Sequence, residues 1–245
     1  MISNSSNDSP GLLVADATWP VVAARAARGA VGVLPVGAAS KAHGRHLPMN
    51  TDWLQAQWLA EMLIARANVL VWPTLGYGYY PAFTDYPGST CLGQATFTDM
   101  VAEILAGIGS TGIARCLILN TGISTIPPLR SAMEQVSGFR RLTLLNVYQG
   151  RRFRAVQQGL EEQPFGGHAD EIETSLMLAI APQKVAMRFA EPAVACRLSG
   201  RFDRTDPSSA NYSPSGSYGD PTLASSEKGR RLLAAMLADV LAALG

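Results

Sequence analysis

Short apolar runs alternate with longer amphipathic ones along most of this chain. Residues 32–36, 68–72, 115–119 and 142–147 are brief and rich in Val, Leu and Ile, and the first three are followed by Gly37, Pro73 and Asn120. Runs of this length and closure read as buried strands. Between them, residues 53–66, 96–107 and 128–138 carry apolar positions at helical spacing; the first places Leu54, Trp58, Leu59, Met62 and Leu63 on one stripe. A short helix is predicted over 21–28, and further helices over 171–180 and 225–244. Apolar strands separated by helices define βαβ units. The expected fold class is therefore α/β: a layered, mostly parallel β-sheet with helices on both faces. Three loops follow predicted strands directly: 37–52, 73–90 and 120–128. They should share the rim where open α/β sheets bind ligands.

Composition narrows the function. The 245 residues are 47% hydrophobic and 16% charged, with a formal net charge of +1. Disorder is excluded, and no broad basic field favours nucleic acid. The length suits one domain spanning 1–245, with the polar stretch 1–10 as a flexible tail. No run approaches the ~20 apolar residues of a membrane span. Residues 1–10 have neither a basic start nor an apolar stretch, so no signal peptide is expected and the protein reads as cytoplasmic. Cys91, Cys116 and Cys196 are odd in number and lack a CxxC pair. They read as free thiols rather than a disulfide framework or a thiolate zinc site.

Only three histidines are present, so each can be weighed. His43 and His46 share the first post-strand loop, Lys41-Ala42-His43-Gly44-Arg45-His46-Leu47-Pro48, which runs on to Asp52. A divalent metal takes neutral imidazole and carboxylate ligands. Gly44 and Pro48 let the loop fold His43 and Asp52 together, although the spacing suits a hydrogen-bonded pair equally. His168 follows Gly166-Gly167 and precedes Ala169-Asp170-Glu171-Ile172-Glu173. Asp170 and Glu171 suit the positive end of the helix they open. Beyond Glu173 that helix is almost wholly apolar, so its carboxylate needs a partner, a metal or a cation.

These segments resemble the creatininase family, the creatinine amidohydrolase-like metal hydrolases. Leu34-Pro35-Val36-Gly37, with His43-Gly44-Arg45-His46-Leu47-Pro48 and Asp52, is similar to its first signature. Pro87-Gly88-Ser89 is similar to its PGT loop, and Gly167-His168-Ala169 with Glu173-Thr174-Ser175 to its third segment. Gly216-Ser217-Tyr218-Gly219-Asp220-Pro221, with Ala224-Ser225 and Glu227-Lys228-Gly229, is similar to its last. The resemblance implies a layered α/β fold, a homo-oligomer in the form of a hexameric ring, and a small-molecule substrate. It also implies hydrolysis of compact cyclic amides by a hydroxide between two divalent metals. Carried over by position, His43 and Asp52 are metal ligands, Glu173 is a ligand or active-site carboxylate, and His168 transfers protons.

Two positions depart from the family pattern. The family glutamate two residues before the first motif histidine is Lys41 here. The histidine of the family's NGHGGN-like loop is Gly122, within Asn120-Thr121-Gly122-Ile123-Ser124. Both would serve the same metal, so the expectation is one metal rather than two, with the Lys41 ammonium in the vacated place balancing Asp52 and steadying an oxyanion. The remaining ligands, His43, Asp52 and Glu173, suit zinc first, then manganese or iron. Backbone amides near Gly122 and Ser124 are further oxyanion donors. His46 orients Asp52 or the substrate, or merely packs, and Tyr86 belongs to an aromatic loop that either walls the site or packs an interface. The four tryptophans, Trp19, Trp53, Trp58 and Trp72, all lie outside 145–170, which argues against creatinine as substrate. The function expected is a metal-dependent amidohydrolase opening a compact cyclic amide. Alternatives are hydrolysis of another bond such as a C–C bond in a cyclic ketone, a degenerate member that binds without turnover, and a processing peptidase.

Overall fold

A computed structural model describes residues 10–194 and 200–245; residues 1–9 of the predicted tail and Cys196 lie outside the described residues. Five parallel strands form one sheet: β1 (Leu12–Leu13), β2 (Val31–Val36), β3 (Val69–Val71), β4 (Arg115–Asn120) and β5 (Arg141–Asn146). The spatial order is β1-β3-β2-β4-β5. The seven α-helices among the described residues are α1 (Trp19–Ala27), α2 (Thr51–Ile64), α3 (Gln94–Ser110), α4 (Ile126–Glu134), α5 (Arg151–Leu160), α6 (Glu171–Ile180) and α7 (Ser226–Leu244). None is long and apolar enough to cross a membrane.

Strand periodicity sorts the core into two layers. Leu34 and Val36 of β2 join Phe97, Val101 and Leu105 of α3 and Leu129 of α4 on one face. Val31 and Val33 join Leu59 and Leu63 of α2, Leu176 of α6, and Leu232 and Met236 of α7 on the other. Successive side chains of one strand thus serve opposite faces, and all six residues of β2 are buried. The chain runs from β2 to β3 on one side, then crosses to β4 on the other. This reversal opens a crevice at the carboxyl ends of β2 and β4, where Val36 pairs with Asn120.

The expected parallel sheet with helices on both faces is what forms. Two elements escaped the sequence pattern. β1 has only two residues, too few to show a period. α5 reads Arg-Arg-Phe-Arg-Ala-Val-Gln-Gln-Gly-Leu and buries only Phe153 fully. Val156 and Leu160 pack beside Phe153 at partial burial, and Asp239 of α7 anchors the helix start: its carboxylate accepts from Phe153 N–H at 2.9 Å and pairs with Arg152 at 3.2 Å.

Several close approaches set the crevice. A Cβ on Gly37, just after β2, would lie 2.4 Å from the Asp52 carbonyl oxygen, so only glycine lets the start of α2 reach the strand end. A Cβ on Gly229 of α7 would lie 1.9 Å from the Ser175 carbonyl oxygen of α6. The first loop is latched to α6 by His46, whose Nε2 is 2.8 Å from Thr174 Oγ1. Burial, and then the neighbouring His43, bring the His46 imidazole down to about 4.

Two outcomes follow for stability. Gly229→Ala should cost about 2 kcal/mol or more through overpacking, lowering Tm by roughly 4–8 °C in calorimetry. His46 is neutral in the fold but takes a proton in the unfolded chain below its ordinary value, so its contribution is complete above about pH 6.5 and is lost as pH falls toward about 4. His46→Gln should therefore remove on the order of 3 kcal/mol of acid-dependent loss across that window. Parallel urea titrations of both proteins at pH 7 and pH 4.5 measure the difference.

Candidate active site

The first post-strand loop folds back on itself, as Gly44, in a left-handed conformation, permits. His43 becomes fully buried, with Nδ1 2.9 Å from the Lys41 carbonyl oxygen. A carbonyl only accepts, so that nitrogen carries hydrogen. His43 Nε2 then faces Asp52 Oδ1 at 3.0 Å. His168 repeats the arrangement: its Nε2 is 2.8 Å from the Ala42 carbonyl oxygen, and its Nδ1 faces Glu173 Oε2 at 3.6 Å. Two consecutive carbonyls therefore orient two imidazoles from segments about 125 residues apart in sequence, and fix which nitrogen of each ring is bare in the neutral form. The rings lie 4.7 Å apart. Burial, and then the charges of His43 and Lys41, hold His168 well below the usual imidazole range.

A bare nitrogen opposite a carboxylate oxygen is stable only with a proton or a cation between them. Ligand atoms of His43, His168 and Glu173 all lie within 4.8 Å of one another, and all three residues are buried. Two imidazoles and a carboxylate form a donor set suited to one divalent cation. The group includes His168 beside His43 and Glu173; Asp52 stands next to it, tied by Oδ2 to the Lys41 ammonium at 2.6 Å. Burial alone would raise the Asp52 carboxyl, but Lys41 and then His43 outweigh it and hold it well below the carboxylate range.

Glu173 is placed by the start of α6. Asp170 caps that helix, accepting from Ile172 and Glu173 N–H at 2.9 Å each. Ala169 adopts a left-handed φ of 47°, which costs a non-glycine residue about 1–2 kcal/mol. In return its N–H donates to Glu173 Oε2 at 2.6 Å. The Tyr148 hydroxyl lies between Gln55 Oε1 and Glu173 Oε1. Burial, and then Glu173, raise Tyr148 well above the ordinary phenol value, so it stays protonated and able to donate.

A cavity of about 530 Å³ opens onto Lys41, Phe83, Ser124, Tyr148, His168 and Glu173. Lys41 is 7% exposed, and its Nζ lies 5.2 Å from the centre of the Phe83 ring. The Phe83 ring also covers His168 at 4.1 Å. Ser124 lines this cavity and a smaller one bounded by Lys41, Asp52 and Gly122. The Gly122 amide is already donated to Asn120 Oδ1, so of the two expected oxyanion positions only Ser124 remains uncommitted among the described residues. Tyr86 and His46 line neither cavity: Tyr86 donates to the Ser213 carbonyl, and His46 is spent on Thr174.

The loop after β5 was absent from the predicted rim, so Asn146, Tyr148 and Gln149 went unnoticed although they line the cavity. Extending the rule of strand carboxyl ends to β5 would have found them. Part of the last signature does structural work. Lys228 neutralises the buried Glu171 at 2.5 Å, and Gly229 permits the approach of α7 to α6.

The sequence and the overall fold are similar to those of known proteins. The family model described as "Creatinine amidohydrolase" matches residues 15–244. Creatinine amidohydrolase of Pseudomonas putida is 31% identical over 195 residues, covering 72% of this chain and 75% of that protein. A mycofactocin precursor peptide peptidase of Mycolicibacterium smegmatis is 26% identical over 212 residues, covering 84% of this chain and 80% of its own. A solved structure described as "Creatininase Mn" superposes with a TM-score of 0.83 at 26% identity, covering 96% of this chain and 97% of that one. With the family model matched over nearly the whole sequence and the fold shared with a solved creatininase, the chain belongs to the creatininase family of hydrolases.

Proposed function

We propose that this protein is a hydrolase of compact cyclic amides that works with one divalent cation held by His43, His168 and Glu173. The observation that carries the reading is the pair of imidazoles whose outer nitrogens are spent on the Lys41 and Ala42 carbonyls, leaving both inner nitrogens turned toward carboxylates. Zinc suits this donor set best, with manganese or iron as alternatives. Bound there, such an ion supplies Lewis acidity and lowers the pKa of a water.

The chain's own residues do the rest. Lys41 occupies the place where the family pattern has a carboxylate, and its charge already balances Asp52. A second cation at that point would meet the ammonium directly, which supports a single-ion site. The same ammonium lines the cavity and donates to a carbonyl oxygen as negative charge builds on it. The Ser124 hydroxyl, free of partners among the described residues, is a second donor. Tyr148 and the Ala169 amide keep Glu173 in a fixed pose, and the Phe83 ring covers the His168 imidazole. His168 is assigned here to holding the ion, because its outer nitrogen is engaged with a carbonyl and its inner one faces Glu173.

Metal analysis of the purified protein should return one equivalent of zinc or manganese. His43→Ala, Glu173→Gln and His168→Ala should each lose it, along with release of a new carboxylate from hydantoin- or lactam-type substrates in a pH-stat assay. Retention of the ion by an inactive His168→Ala protein would return His168 to proton transfer. Lys41→Met should lower kcat by about 10²-fold or more, and also destabilise the fold by about 3 kcal/mol by stranding the buried Asp52 charge. The double variant Lys41→Met, Asp52→Asn restores charge balance, so it should recover stability in thermal melts without recovering kcat.

A further inference from the structure

The wall that α5 contributes to the cavity carries a cation that the hydrolytic reading does not use. Arg154 and Gln157 both line the space shared with His168 and Glu173. Every other charged group on that lining is committed. Lys41 is paired with Asp52 at 2.6 Å. Glu173 takes the Ala169 amide. Asp170 caps α6 through Oδ1 and accepts from Gln163 through Oδ2 at 2.8 Å. Gln157 donates to Glu161. The Arg154 guanidinium alone has no hydrogen bond or ion pair among the described residues. Its neighbour Arg152 is held by Asp239, and the backbone of α5 is anchored by the same carboxylate and by the fully buried Phe153. Arg154 is therefore an unpartnered fork of donors mounted on a fixed helix.

We propose that Arg154 is a specificity-determining residue that selects cyclic amides bearing a carboxylate on an arm away from the scissile bond. The inference rests on the hydrolase reading of the same cavity. A planar guanidinium matches a carboxylate with two parallel hydrogen bonds. Arg151, one turn back on α5, is not on the cavity lining, and Lys41, which is, already balances Asp52, so the one uncommitted cation matches a monoanion rather than a phosphate dianion. The volume of about 530 Å³ leaves room for a ring at the histidines and a side arm reaching α5.

Hydantoin-5-acetic acid and its neutral isostere, hydantoin-5-acetamide, separate the charge from the shape. Calorimetric titration into zinc-loaded protein should show the acid binding about ten-fold or more tightly. That ratio should fall toward one in Arg154→Gln, be partly kept in Arg154→Lys, and shrink as salt is raised, because the guanidinium is exposed. Equal affinity for the two probes, a preference that survives Arg154→Gln, or no measurable binding of either would overturn the proposal. Hydrolysis is followed in the same samples. Binding with the predicted ratio but no ring opening would remove the catalytic reading while leaving the selection by Arg154 intact.

Discussion

The structure turns on the backbone between Lys41 and Ala42. Two successive carbonyl oxygens there each take an imidazole N–H, one from His43 in the same loop and one from His168, which precedes α6. No side chain is needed for this grip, only a loop held in one conformation. Gly37 lets Asp52 close against the end of β2, and the His46–Thr174 bond latches the far side to α6. Packing of α6 on α7 supports that latch from behind. Much of the fold thus serves to keep one stretch of backbone still.

Electrostatics explains why the site tolerates so many buried charges. Asp52 is offset by Lys41, and Glu171 by Lys228. Glu171 also accepts two backbone amides, from Glu162 and Gln163, at 2.9 Å each. Asp170 sits at the positive end of α6 as its cap, yet burial and then Glu173 push it up to about 7. Each charge has a partner within the same layer, so removing one partner strands the other in a poorly solvated place. The buried Lys41 ammonium is accommodated on the same terms, because Asp52 neutralises it.

The periodicity of the strands and the long helices was readable because each buries a regular stripe. The boundaries shifted by a few residues at most, as for α2, which begins at Thr51 rather than at Trp53. α5 was harder to read: its apolar stripe is only Phe153, Val156 and Leu160 among arginines and glutamines, and the carboxylate that anchors it lies 86 residues away. In the site, residue type and motif spacing singled out His43, Asp52, His168, Glu173 and Lys41. They could not say which carboxylate the imidazoles would face, because that depends on the direction of ring nitrogens set by carbonyls. Tyr86 shows the same dependence on direction. Its loop is rich in aromatics, but its hydroxyl is turned to the Ser213 carbonyl and its ring fills the space beside Gly216.

The way α5 is attached has an evolutionary consequence. The helix is joined to the body of the protein through Phe153, Val156 and Leu160 and through Asp239, while the residues that grip the imidazoles belong to other segments altogether. Its outward positions, Arg154 and Gln157 on the cavity wall among them, can drift without disturbing those contacts. On the proposed role of Arg154, substrate preference is inherited on a different piece of chain from the residues that grip the imidazoles.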